Sequence, residues 1–72
     1  MNHPTFSPAR LSLARRRRKL TKKALAELLD VDQKTVIRYE HGDVEPPLGS
    51  MAALSSVLNF PQSFFYGPDL DE

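Results

Sequence analysis

Seventy-two residues, 40% hydrophobic and 26% charged, suffice for one small domain with a modest core. The absence of cysteine excludes a disulfide framework and a thiolate zinc site, and no apolar run approaches the roughly 20 residues that cross a bilayer. The net charge of +1 conceals a division: residues 1–38 carry all ten Lys and Arg against Glu27, Asp30 and Asp32, a balance of +7, whereas residues 39–72 carry six acids and no Lys or Arg, a balance of −6. Eight of the ten basic residues lie between Arg10 and Lys23, which points to a polyanionic partner for the first half. The N-terminus has no apolar segment of signal-peptide type, and a cysteine-free chain suits a reducing cytoplasm, so a cytoplasmic protein is expected.

Residues 1–6 read as a loose arm. Ser7-Pro8 is a strong helix start, with serine as N-cap and proline at the first helical position, where its missing N–H costs nothing. Leu11, Ala14, Arg15 and Arg18 follow at helical spacing, so the first helix is expected to reach about residue 18. No glycine closes it. Lys19 is expected to take the left-handed conformation, at roughly 1 kcal/mol relative to glycine.

Thr21 reads as the N-cap of a second helix with Leu25, Ala26 and Leu29 on its apolar face. Asp30-Val31-Asp32 breaks that pattern. Asp30 tolerates a left-handed turn better than most residues, and Asp32 is a good N-cap for a third helix from Gln33 to about His41, with Gly42 to terminate it. Asp43 to Pro47 is a loop stiffened by Pro46-Pro47. Leu48, Met51, Leu54 and Leu58 mark the inward face of a fourth helix, Asn59 closes it, and Phe60-Pro61 starts a last turn through Phe65. Residues 67–72 read as an acidic tail or the start of a linker. The expected fold is all-α: one domain over residues 7–66, a small bundle of four to five short helices.

Two short helices joined by a tight turn are the informative unit. On a 3.6-residue period, Val36, Tyr39 and Glu40 of the third helix point one way, while Gln33, Lys34, Ile37, Arg38 and His41 point the other. The second face is polar and free of acids. Glutamine and arginine are the side chains that pair bidentately with adenine and guanine edges in the major groove.

The stretch from Leu20 to Gly42, LTKKALAELLDVDQKTVIRYEHG, resembles the helix-turn-helix of the Cro and phage-repressor (XRE-type) family. The landmarks in register are Leu20-Thr21, Leu25-Ala26, Leu29, Val31, Val36, Tyr39, and Glu40 with Gly42, and the resemblance extends over about residues 7–66. It implies a phage-repressor-like fold and sequence-specific binding of double-stranded DNA by a prokaryotic or phage transcriptional regulator of repressor type. It also implies roles for particular residues. Gln33, Lys34 and Arg38 fall on base-reading positions. Ile37 falls where a small or polar residue is usual, and either touches a thymine methyl group or packs. Lys22 replaces a glutamine common at the start of the second helix, which favours phosphate contact. Arg15 and Glu40 match a structural pair that holds the first and third helices in register. Lys19 and Asp30 depart from positions that are often glycine.

Lys22 and Lys23, at a positive helix N-terminus, are the leading phosphate candidates, with Thr35, His41 and Arg18 beside them. The run Arg16 to Lys19 is either a phosphate-contacting patch or a solvated face, and His41 either caps its helix or touches phosphate. His3 and His41 have no partners at metal-ligand spacing, and no serine has a base arranged beside it, so neither metal, cofactor nor enzymatic activity is expected.

From Leu48 to Leu58 the fourth helix carries no charge. Its small outer residues Ala52, Ala53, Ser56 and Val57, with Phe64, are the candidate surface for a partner, the simplest being a second copy in a weak homodimer on an inverted repeat. The Pro-Gln-Ser-Phe-Phe stretch also resembles regulators in which such a domain precedes a zinc-peptidase domain of the ImmA/IrrE type. The alternative is therefore a DNA-binding module of a longer regulator, antitoxin or zinc peptidase, with a further domain beyond residue 72. A membrane-surface role fits poorly, because the basic first helix lacks a bulky apolar face.

Overall fold

The computed structural model describes residues 5–67. Four helices succeed one another: α1 (Pro8–Arg17), α2 (Lys22–Leu29), α3 (Gln33–His41) and α4 (Leu48–Leu58), followed by a 3-10 turn at Gln62–Phe65. Residues 1–4 of the expected arm and 68–72 of the expected tail lie outside the described residues.

Local chemistry accounts for the boundaries. Ser7 Oγ accepts the Arg10 N–H at 3.2 Å, and Pro8 opens α1. Thr21 Oγ1 accepts the Ala24 N–H at 3.0 Å and opens α2. Asp32 occupies the N-cap of α3 through its backbone carbonyl, which accepts the Thr35 N–H at 2.9 Å; its side chain makes no cap bond. Three helix exits turn left-handed on non-glycine residues, Lys19 (φ 58°), Asp30 (φ 60°) and Asn59 (φ 58°). Each stores roughly 1 kcal/mol of backbone strain, which packing must offset. The fourth exit uses Gly42 (φ 81°), where a Cβ would also come within 3.3 Å of the Pro8 ring.

One core joins all the elements. Leu11 and Ala14 of α1, Leu25 and Ala26 of α2, Val36 and Tyr39 of α3, and Met51, Leu54 and Leu58 of α4 are buried together with Phe65. Burying a Leu or Phe side chain contributes about 1.5–3 kcal/mol, so this cluster is the main favourable term. Phe6 joins it, which moves the limit of the expected loose arm. Phe6 bridges Tyr66 in antiparallel fashion, the Ser7 N–H donates to the Phe65 carbonyl at 2.7 Å, and the Gly67 N–H donates to the Thr5 carbonyl at 3.0 Å. The chain before α1 is thus tied to the chain after the 3-10 turn.

Leu48 corrects the expected inward face of α4. It is 82% exposed. Met51, Leu54 and Leu58 fall within an arc of about 60° on a 3.6-residue helix, and Leu48 projects outside it. The outer face is also less uniform than expected. Ala52 and Ser56 are exposed, Ala53 is half-buried, and Val57 packs against the core.

Candidate nucleic-acid interface

The α2–turn–α3 unit is held from behind. Asp30 in the left-handed conformation lets the Val31 N–H reach the Ala26 carbonyl at 3.0 Å, which closes the turn tightly. Leu29 and Val31 pack on the core beneath it. Arg15 then braces α3 against α1. Its guanidinium meets Glu40 in a fork, Nε to Oε2 at 2.6 Å and Nη2 to Oε1 at 3.1 Å. Its third donor, Nη1, reaches the Leu20 carbonyl at 2.8 Å, between α1 and α2. One side chain therefore fixes three elements. The Arg15 and Glu40 side chains are only 12% and 4% exposed, so the pair is shielded from screening.

With Val36 and Tyr39 buried and Glu40 engaged, the opposite side of α3 is presented outward. Gln33, Lys34, Arg38 and His41 are exposed. Ile37 is half-buried and stands apart from the residues packed on the core. Thr35 is half-buried at the edge of this face. It shares a shallow recess with Arg38 and Tyr39 of α3 and with Val44 and Pro47 of the following loop. At the start of α2, Lys22 is half-buried and Lys23 exposed. The first-turn N–H groups of α2 add their partial positive charge to these two cations.

Arg18 occupies a different place from the one expected of a phosphate contact. Its Nε donates to the Leu58 carbonyl at 2.6 Å and its Nη2 to the Asn59 carbonyl at 3.1 Å, and its guanidinium lies 4.7 Å from the Phe60 ring centre. It caps the C-terminus of α4. Arg10 is similarly engaged, with its Nη1 3.4 Å from the Phe64 carbonyl and its guanidinium 5.5 Å from the Phe64 ring. Phe60 and Phe64 stack with centres 4.6 Å apart, and Phe64 meets Phe65 edge-on at 5.5 Å. Arg18, Phe60, Phe64 and Arg10 thus form a continuous ladder joining α1 to the C-terminal turn. Phe64, expected at a partner surface, is half-buried within that ladder.

Sequence reasoning missed these two arginine roles. A signal was present. Helix α4 has no basic residue in its last turn, so its final carbonyls require donors from elsewhere. Among the described residues, no group of three potential metal ligands comes together, and no helix is long and apolar enough to cross a membrane.

A search among curated protein sequences gives no match. Solved structures do match. The P22 c2 repressor in complex with synthetic operator 9T superposes with a TM-score of 0.79 at 21% identity, over 85% of this chain and 92% of that one. At that identity the likeness is one of fold. A transcriptional regulator of the HTH_3 family from Vibrio cholerae matches with a TM-score of 0.72 at 26% identity, over 81% of this chain and 33% of the regulator. Hydroxypropylphosphonic acid epoxidase from S. wedmorenis matches with a TM-score of 0.78 at 27% identity, over 85% of this chain and 32% of the enzyme. The chain thus spans about a third of each of the two longer proteins. The family described as helix-turn-helix, HTH_3, matches residues 11–61, from α1 into the segment after α4, and the chain belongs to that family.

Proposed function

We propose that this domain binds double-stranded DNA sequence-specifically through the major groove, as a transcriptional regulator of repressor type. The observation that carries this reading is the outward face of α3. Gln33, Lys34, Ile37, Arg38 and His41 form one acid-free, exposed or half-exposed surface, on a helix whose other side is locked by Val36, Tyr39 and the Arg15–Glu40 fork. Gln33, Lys34 and Arg38 read base edges, and Ile37 adds apolar contact with a thymine methyl group. Lys22 and Lys23, with Thr35 and His41 at the margins, hold phosphates and set the register.

The test is selection of bound sites from random DNA, followed by Arg38→Ala. On the selected site the substitution is expected to cost about 1–3 kcal/mol and to relax preference at one base pair. Equal losses on selected and scrambled duplexes remove the base-reading role.

One such unit covers few base pairs, so the reading includes a second copy on an inverted repeat, with recognition helices one DNA turn, roughly 34 Å, apart. The exposed apolar residues favour a different pairing surface from the outer middle of α4. Leu48 (82% exposed) in the first turn of α4 and the exposed Ala52 one helical turn on form a short strip, and Val44 (45% exposed) lies in the loop before it. The strip is small beside the 1,000 Å² or so of a stable interface, so pairing is weak in solution and completed on DNA. Leu48→Glu is expected to abolish cooperative binding to an inverted repeat while sparing half-site binding. Surviving cooperativity puts the contact elsewhere.

A second reading is a DNA-binding module within a longer regulator, antitoxin or zinc peptidase. Its support is that matched proteins carry this fold in about a third of their length. Sequencing the reading frame past residue 72 tests it.

A further inference from the structure

Arg38 is held differently from Arg15 and Arg18. Glu40 and the Leu20 carbonyl fix Arg15, and the carbonyls of Leu58 and Asn59 fix Arg18. Among the described residues the Arg38 side chain engages no carboxylate and no carbonyl. Its donors are uncommitted, so only apolar surface is at hand to orient it. That surface comes from the loop that follows. Val44 and Pro47 line one shallow recess together with Thr35, Arg38 and Tyr39. The loop is stiff and tied down. The Asp43 N–H donates to the Arg38 carbonyl at 3.0 Å, Pro46 is buried, and Pro46 and Pro47 fix two successive φ angles. Tyr39, on the helix side of the recess, is 4% exposed and set in the core. Arg38 thus shares its recess with surfaces that do not yield.

We propose that Val44 and Pro47 are positioning residues for base reading by Arg38. The proposal rests on the DNA-binding reading above. Arginine has a long stem with many rotamers, and ordering it on a base edge costs conformational entropy. Apolar walls beside the stem remove part of that freedom before DNA arrives. The methylenes lie against Val44 and Pro47 while the charged head stays in water. A guanine edge demands one geometry, two parallel bonds to O6 and N7. Binding to random DNA asks only for charge near the backbone. Loosening the stem therefore weakens matched binding more than random binding. Val44 is 45% exposed, so one side of it serves Arg38 and the other stays free beside the Leu48 strip. Thr35 holds its phosphate from the helix side of the recess, and an ordered Arg38 leaves that contact intact.

The experiment measures Val44→Ala on a half-site duplex, where no second copy pairs. Affinity is read by fluorescence anisotropy on a half-site taken from the selected sequences and on a scrambled duplex of equal length. Every variant is measured below its own melting transition, followed by circular dichroism, so that lost stability does not enter. Val44→Ala is expected to weaken the selected half-site about three- to tenfold and the scrambled duplex less than about twofold. Preference should relax at the same base pair that Arg38→Ala relaxes. Val44→Ile is expected to restore both, and Pro47→Ala, which shortens the same wall, to lower the same selectivity. In the Arg38→Ala background Val44→Ala is expected to add nothing, because the stem it orients is gone. Leu48→Ala, at an exposed leucine outside the recess, is expected to leave half-site binding unchanged. Equal losses on both duplexes for Val44→Ala, no loss, or a loss that persists without the Arg38 side chain overturns the proposal and leaves the DNA-binding reading standing. If the wild-type chain does not distinguish the two duplexes, the reading itself falls, and the proposal with it.

Discussion

Arg10 and Arg15 of α1 with Arg18 at its C-cap, and the cations of α2 and α3, count equally in a charge tally, yet the two sets are placed in opposite ways. Arg10, Arg15 and Arg18 of the first segment are turned to the protein. One stacks on Phe64, one forks onto Glu40, and one caps the carbonyls of Leu58 and Asn59. Lys23, Lys34 and Arg38 of the second are exposed. Of the eight basic residues between Arg10 and Lys23, three thus serve as internal struts. A cation beside a carbonyl, a ring face or a carboxylate is part of the architecture. Only a cation facing solvent is available to a polyanion.

The sharpest way to break this contrast is at the shielded pair. Glu40→Gln leaves the Arg15 guanidinium with half its fork and an unbalanced charge. The expected cost is about 3–5 kcal/mol, a large share of the roughly 5–15 kcal/mol that stabilises a typical domain. Thermal melting by circular dichroism should show the loss directly. Melting at the wild-type temperature would mean that the fork contributes nothing.

Arg18→Gln probes the same contrast at a more exposed strut. It removes two hydrogen bonds to the end of α4 and the stacking on Phe60. Because Arg18 is exposed, solvent screening reduces the effect to about 1–2 kcal/mol. Melting temperature should fall while the salt dependence of DNA binding stays unchanged. A fall in salt slope with an unchanged melting temperature would move Arg18 into the group with Lys22.

The sequence was most legible where a local rule acts alone. Ser7-Pro8, Thr21, Asp30, Gly42 and Asn59 placed the helix ends within a residue, because capping and left-handed turns depend on single side chains and their own backbone. The helix-turn-helix was legible for the same reason. Its periodicity separates Val36 and Tyr39 from Gln33, Lys34 and Arg38, and the match over residues 11–61 agrees with that unit. What stayed hidden needed contacts distant in the chain. Arg18 meets Leu58 across forty positions, and Phe6 meets Tyr66 across sixty. Neither partner carries a sequence signal that names the other. Leu48 misled for a different reason: a leucine at helical spacing was assigned to the core, although the position sits at the mouth of α4, outside its buried arc.

The smallest expected effect completes the contrast from the other side. Lys22 and Lys23 sit in the first turn of α2, where the N-cap Thr21 is already bonded to Ala24 and neither lysine is needed to form the helix. Alanine is the better helix former, so Lys23→Ala should leave the melting temperature unchanged or slightly raised. If the cation meets a phosphate, affinity should drop by a similar factor on every duplex, matched or scrambled. The plot of log affinity against log salt should also flatten by roughly one unit, because one fewer counterion is released. That pattern is the reverse of the one expected for Arg18→Gln: unchanged stability with altered salt dependence, against altered stability with unchanged salt dependence. An unaltered slope for both Lys22→Ala and Lys23→Ala would place the two lysines on the solvated surface. The phosphate grip would then pass to the remaining exposed cations of the unit, Lys34 and Arg38.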